Sequence, residues 1–108
     1  MGKFIITKRR NGDYQFNLKA VSGAVILTSE GYKAKSSCEK GIESTRKNSA
    51  DDSKFEKKTS SDGKWYFALK AGNGEILGLS EMYESVRGME IGMQSVKTNA
   101  PTAVIVED

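Results

Sequence analysis

A tandem duplication is the feature that most restricts how this chain can fold. Shifted by 51 positions, the sequence aligns with itself without a gap, and 16 of 55 aligned pairs are identical. Lys3-Phe4 meets Lys54-Phe55, and Asn11-Gly12 meets Asp62-Gly63. The run Phe16 to Ala20 meets Phe67 to Ala71, and Ser29-Glu30-Gly31-Tyr32 meets Ser80-Glu81-Met82-Tyr83. Glu39, Gly41, Ser44 and Asn48 meet Glu90, Gly92, Ser95 and Asn99. One unit of this length buries too little apolar surface to be stable alone. The 108 residues are therefore expected to form a single domain, with repeat one at about 3–53 and repeat two at about 54–108. The two should share one core.

Each repeat opens with a short strand, Lys3 to Lys8 or Lys54 to Thr59. The Asn-Gly and Asp-Gly dipeptides that follow suit the positive φ angles of a type I′ hairpin turn. A second strand runs Asp13 to Ala20 or Lys64 to Ala71. In it Tyr14, Phe16 and Leu18 alternate with Gln15, Asn17 and Lys19, and Trp65, Phe67 and Leu69 with Tyr66, Ala68 and Lys70. Period two means one buried and one wet face. After Ser22-Gly23 or Gly72-Asn73-Gly74 comes a third strand, Ala24 to Thr28 or Glu75 to Leu79, whose orientation stays open because both faces are apolar. Beyond Tyr32 and Tyr83 the period lengthens: Ala34, Cys38, Ile42 and Thr45, and likewise Ser85, Met89, Met93 and Val96, recur at helical spacing. The stripe predicts one helix per repeat, about 14 residues long. Ser85 can cap the second helix, whereas its counterpart Ala34 cannot cap the first. Gly41 and Gly92 fall mid-helix, where glycine costs about 1 kcal/mol relative to alanine, and so predict a close helix-to-sheet contact. Asn48 and Asn99 suit left-handed C-terminal positions, and Pro101 stops the second helix. Thr102 to Val106 reads as a last strand, and its repeat counterpart, Asp51 to Phe55, leads into the strand that opens repeat two.

The expected fold is α+β: two βββα(β) repeats sharing one largely antiparallel sheet, with two helices on one face and a pseudo-twofold axis. Phe4, Phe16, Leu18, Ile42, Phe55, Trp65, Phe67, Leu69, Met89 and Met93 are the expected core. The repeated hairpin Asn/Asp-Gly, Phe-x-Leu-Lys-Ala, Ser-Glu-x-Tyr and the helical Gly, Ser and Asn positions together resemble the YegP-like family, over essentially the whole chain. That resemblance implies two βββαβ repeats in one sheet with C-terminal strands exchanged between them, a body that single-repeat relatives reach by dimerising. It implies no chemistry, because the family is of uncharacterised function. Lys33-Ala34-Lys35 departs from the small polar helix start usual in that pattern.

Catalytic groups are scarce. The chain has no histidine, which removes Ser-His and Cys-His pairs and the commonest metal ligand. A single cysteine excludes an internal disulfide and a multi-cysteine zinc site. Cys38 lies on the helical stripe opposite Met89 in the repeat, which reads as a core position. Glu30 with Tyr32 and Glu81 with Tyr83 read as loop and edge-packing residues, and Asp51-Asp52 as a loop pair. Gly72-Asn73-Gly74 is a hairpin turn, not a phosphate cradle, since no helix follows it. No cofactor and no metal are expected, and the protein is read as not an enzyme.

Two features bear on binding. Residues 1–50 hold ten Lys/Arg against four Asp/Glu, while residues 51–108 hold seven against ten. Lys8, Arg9, Arg10, Lys33 and Lys35 are the candidate polyanion contacts, with Lys40, Arg46 and Lys47 adding charge nearby. Gln15, Asn17, Lys19, Tyr66 and Lys70 are the candidate contacts on the open sheet face. Met1-Gly2-Lys3 followed by only three apolar residues reads as no signal peptide, and no apolar run is long enough for a membrane span. A small soluble cytoplasmic monomer or weak dimer is expected. Its first expected function is a non-catalytic protein-interaction module using the open face or an edge strand. The alternative is weak nonspecific nucleic-acid binding through the basic first repeat.

Overall fold

In the computed structural model, which describes residues 2–108, β1 (Lys3–Lys8), β2 (Tyr14–Lys19) and β3 (Val25–Ser29) precede α1 (Lys35–Asn48). The pattern then repeats as β4 (Phe55–Thr59), β5 (Trp65–Lys70), β6 (Ile76–Leu79) and α2 (Val86–Asn99), and β7 (Val104–Glu107) closes the chain. Both helices are 14 residues long, as the periodicity predicted.

The hairpins depart from expectation in one detail. All four loops close in the same way: the glycine N–H donates to the carbonyl three residues back, Gly12 to Arg9, Gly23 to Ala20, Gly63 to Ser60 and Gly74 to Ala71, at 2.9–3.1 Å. The glycines have φ of 85–92°, and among the described residues no other residue type has positive φ. A type I′ turn would need Asn11 and Asp62 at positive φ as well. The loops are instead the three-residue kind that places a single left-handed glycine at the bulge. Asn11 contributes by its side chain, accepting the Asp13 N–H at 3.0 Å.

The helix ends also differ. Ser85 caps α2 by accepting the Gly88 N–H at 3.0 Å, and Ala34 leaves α1 without a side-chain cap. Asn48 and Asn99, however, are not left-handed. Each folds its side-chain amide back onto its own helix, Asn48 to the Ser44 carbonyl and Asn99 to the Ser95 carbonyl, both at 2.8 Å. The chain runs on through Ser49 or Ala100, which stay right-handed.

The seven strands form one sheet in the order β4-β5-β6-β3-β2-β1-β7, antiparallel except where β7 lies parallel to β1. Register locates the symmetry. Thr28 and Leu79 stand 51 positions apart in sequence and face each other across β3 and β6, so the pseudo-twofold axis passes between them. Both helices cover one face, and neither stays within its own repeat. α1 packs on β2, β5 and β6, and α2 on β5 and β3. Phe4, Phe16, Leu18, Leu27, Phe67 and Leu69 pack under Cys38, Ile42, Met89 and Val96 in one cluster. Trp65 and Met93, expected in the core, are only partly buried and pack against it: Trp65 is the first residue of β5, and Met93 lines an open groove with Phe55, Lys57 and Lys97.

The mid-helix glycines explain themselves by close approach. A Cβ on Gly41 would sit 2.8 Å from Cζ of Tyr32, and one on Gly92 2.6 Å from Cζ of Tyr83. Each tyrosine ring thus occupies the room that a side chain on the helix would take. Tyr32 also stacks on Phe16, with ring centroids 6.4 Å apart. Strand transfer between repeats is one-way. β7 of repeat two docks on β1 of repeat one, whereas the matching segment of repeat one is a 3-10 turn at Asp52–Lys54 that runs straight into β4.

Candidate functional site: an open edge strand and its groove

The two edges of the sheet have different chemistry. β4 is guarded by charge: Lys57 pairs with Glu90 at 3.0 Å, and Glu56 receives Lys70 at 2.8 Å and Lys58 at 3.4 Å. β7 presents Val104, Ile105 and Val106 at 46%, 41% and 38% exposure, with no charge before Glu107. Its backbone bonds inward through Val104 N–H to the Gly2 carbonyl (3.2 Å) and Asp108 N–H to the Ile6 carbonyl (2.9 Å). Since strand residues alternate in direction, the N–H and C=O of Ile105 and Glu107 point away from the sheet. Sheets normally blunt such an edge with charge, proline or a bulge.

Beside this edge lies a groove of about 390 Å³, lined among others by Lys3, Ile5, Lys19, Val21, Gly23 and Val104. Register places it on the face away from the helices: Lys3 is opposite Lys19 on β2 and beside Val104 on β7, and Ile5 is beside Val106. Val21 stands at the tip of the β2–β3 hairpin, 75% exposed. Among the described residues no carboxylate lines the groove.

The candidate open-face contacts do not form one platform. Gln15, Asn17 and Lys19 are neighbours on β2, but Tyr66 and Lys70 lie three strands away on β5, with Thr28 and Leu79 between. The central row runs Val106, Ile5, Asn17, Thr28, Leu79, Ala68, Glu56, and is mostly aliphatic. Strand alternation was legible in the sequence; strand order was not.

The candidate polyanion contacts do gather at one end of repeat one. A bridge between Tyr14 and Tyr32 holds the β1–β2 turn against the segment entering α1. This sets the stretch of Lys8 (Nζ 5.8 Å from the Tyr14 ring centroid), Arg9 and Arg10 against the segment that carries Lys33 and Lys35. Their charge is offset locally. Lys35 is ion-paired with Glu107. The Arg9 guanidinium and the Asp13 carboxylate both crowd the space over Gly31. The Asp108 N–H bonded to Ile6 brings a further acid to the same end. Arg46 is also engaged, donating to Glu43 and to the carbonyls of Ala100 and Pro101.

The remaining chemical candidates are structural. Cys38 is buried, and burial, with Glu39 adding, pushes its thiol up to about 11. Asp51 accepts the Ser53 hydroxyl and N–H, which hold its carboxyl below the usual range, the hydroxyl more than the amide. Among the described residues no cluster of carboxylates and cysteine could hold a metal, and no helix is long and apolar enough to cross a membrane. Lys3, Ile5 and Val21 are not among the site residues expected from sequence, and the last strand, expected at Thr102 to Val106, carries no site assignment there. Breaks in the repeat were the available signal: Ile5 stands where repeat two has Glu56, and Val21 where it has Gly72.

Known proteins share this sequence pattern and fold. The profile of a family described as "Domain of unknown function (DUF1508)" matches residues 10–56 and again 60–107. A UPF0339 protein of Pseudomonas aeruginosa is 48% identical over 106 residues, 98% of this chain and 96% of that one. The UPF0339 protein YegP of Escherichia coli is 45% identical over 107 residues, 99% of this chain and 97% of that one. The solution NMR structure of E. coli YegP, a protein of unknown function, superposes with a TM-score of 0.94, covering 99% of this chain and 92% of that one. That of a UPF0339 protein from Shewanella oneidensis, 40% identical, gives 0.93 over 98% and 90%.

Proposed function

For a chain that belongs to the DUF1508 family, whose relatives are themselves uncharacterised, we propose a non-catalytic role: an interaction module that takes an extended segment of a partner protein as an added strand on β7. Strand addition uses main-chain bonds for affinity and alternate side chains for specificity. The observation that carries this reading is the contrast between the edges, β4 closed by ion pairs and β7 left apolar with outward backbone groups at Ile105 and Glu107. The absence of histidine and the burial of the one thiol agree with a role that needs no reacting side chain.

Selection of random peptides displayed against the full chain tests the reading. Enriched peptides should alternate apolar with other residues. Ile105→Pro should abolish their binding, because it removes an outward N–H, while proline at such an edge position leaves the inward ladder intact. Ile105→Val should retain it. No enrichment, or binding indifferent to Ile105→Pro, overturns the proposal.

A further inference from the structure

The internal repeat supplies a control for every residue in the groove. Lys54 and Lys70, the counterparts of Lys3 and Lys19, are each neutralised: Lys54 by Asp51 at 3.9 Å and Lys70 by Glu56 at 2.8 Å. Lys3 and Lys19 face each other directly across β1 and β2. Like charges so placed repel, and among the described residues neither has a carboxylate within ion-pair distance. Repeat one has lost the acid that repeat two keeps, since Ile5 replaces the counterpart of Glu56. The same exchange gives the groove an apolar floor.

We propose that the segment added on β7 carries an acidic residue beside Val104, whose carboxylate reaches across that valine to Lys3, which stands opposite Lys19, while the apolar residues flanking it cover Ile105 on the other face. A strand outside β7 is two strand spacings from β1, about 10 Å, which a lysine and a glutamate side chain span together. The partner is thus an extended peptide in which an acid alternates with apolar residues. The inference rests on strand addition at β7 and adds the charge of the ligand.

Three capped hexapeptides of alternating valine and a second residue test it, the second residue being glutamate, glutamine or lysine. Each is titrated into the full chain and followed by amide chemical shifts. The glutamate peptide should bind at least tenfold tighter than the other two, shift residues 104–107 together with Lys3 and Lys19, and weaken as salt is raised. In the Lys3→Gln/Lys19→Gln variant that advantage should disappear, whereas Lys33→Gln, in the segment entering α1, should preserve it. Equal affinity of the glutamate and glutamine peptides at β7 overturns the acidic ligand and leaves strand addition standing. Failure of all three to shift β7 overturns both. A concentration-dependent dimer that excludes the peptides and dissociates on Ile105→Lys assigns the edge to a second copy, and overturns the inference as well.

Discussion

Leu27 and Gly78 hold equivalent positions in the two repeats and meet beside the pseudo-twofold axis, where a Cβ on Gly78 would lie 2.8 Å from Cγ of Leu27. The axis has room for one side chain on its helix-facing side, and repeat one supplies it. Leu27 is fully buried there. Exact symmetry is excluded at this point, since two leucines would overlap and two glycines would leave a void.

A swap should expose that coupling. Leu27→Gly alone empties a core site, costing about 2–5 kcal/mol. Gly78→Leu alone overfills it, costing about 1–3 kcal/mol or more, because the Thr28 carbonyl oxygen also stands 3.0 Å from the new Cβ. The double variant should be more stable in urea unfolding than the sum of the single losses, by more than about 1 kcal/mol. Simple additivity would show that the two positions do not share one space.

Ser29 should be needed for its hydroxyl, not its size. Its Oγ accepts the buried Phe16 N–H at 2.8 Å and donates to the Glu30 carbonyl at 2.8 Å. Ser80 does the same for Phe67 and Glu81, at 2.9 and 2.8 Å. Ser29→Ala leaves a buried donor without a partner, at about 1–3 kcal/mol. Hydrogen exchange at the Phe16 amide should accelerate, and the Phe67 amide should slow its exchange no further than in the unaltered protein. Unchanged protection at Phe16 would remove this role.

Alkaline pH should weaken the fold in two stages. Burial raises the Cys38 thiol from 9.0 to about 11 and lifts the Tyr32 and Tyr83 hydroxyls above 10.0. The folded state therefore holds these protons more tightly than the unfolded chain. Stability is complete below the unfolded pKa and falls as pH rises towards the folded one. Urea midpoints should stay level up to about pH 9, decline as Cys38 is forced to ionise, and fall faster above pH 10. Cys38→Ala should lower the midpoint at every pH but remove the first decline. Persistence of that decline in Cys38→Ala would assign it to another group.

Arg46 should hold β7 in place from a distance. Its Nη1 donates to the carbonyls of Ala100 and Pro101, both at 3.3 Å, and its guanidinium carbon lies 5.2 Å from the Phe4 ring centroid. The counterpart Lys97 pairs with Asp52 instead. Arg46→Lys keeps the charge but loses the planar, forked contact. The Val104 and Asp108 amides should then exchange faster, with a loss of about 1 kcal/mol overall. Unaltered protection of both would mean that pairing with β1 suffices.

The candidate site was less legible than the fold, for a reason visible in single residues. Lys8, Arg9, Arg10, Lys33 and Lys35 look like a basic patch in the sequence, and the Tyr14–Tyr32 bridge does bring them together. The acid that pairs with Lys35, Glu107, arrives from the other end of the chain on β7. Gln15 and Lys70 look alike in strand pattern, yet three strand steps separate β2 from β5. Lys3 drew no notice, because its lack of a partner is a fact about where carboxylates are not.

By itself the sequence determined the elements: two copies of three strands and a helix, the hairpin loops, and the faces that alternate or recur. Those signals are local, being periodicity and turn chemistry over a few neighbouring residues. Tertiary structure alone decided that β3 meets β6 at the axis, that Leu27 and Gly78 must differ, and that β7 crosses to β1 and leaves one edge open. These depend on which residues far apart in the chain compete for the same space or the same charge, and neither competition has a period that can be read along the chain.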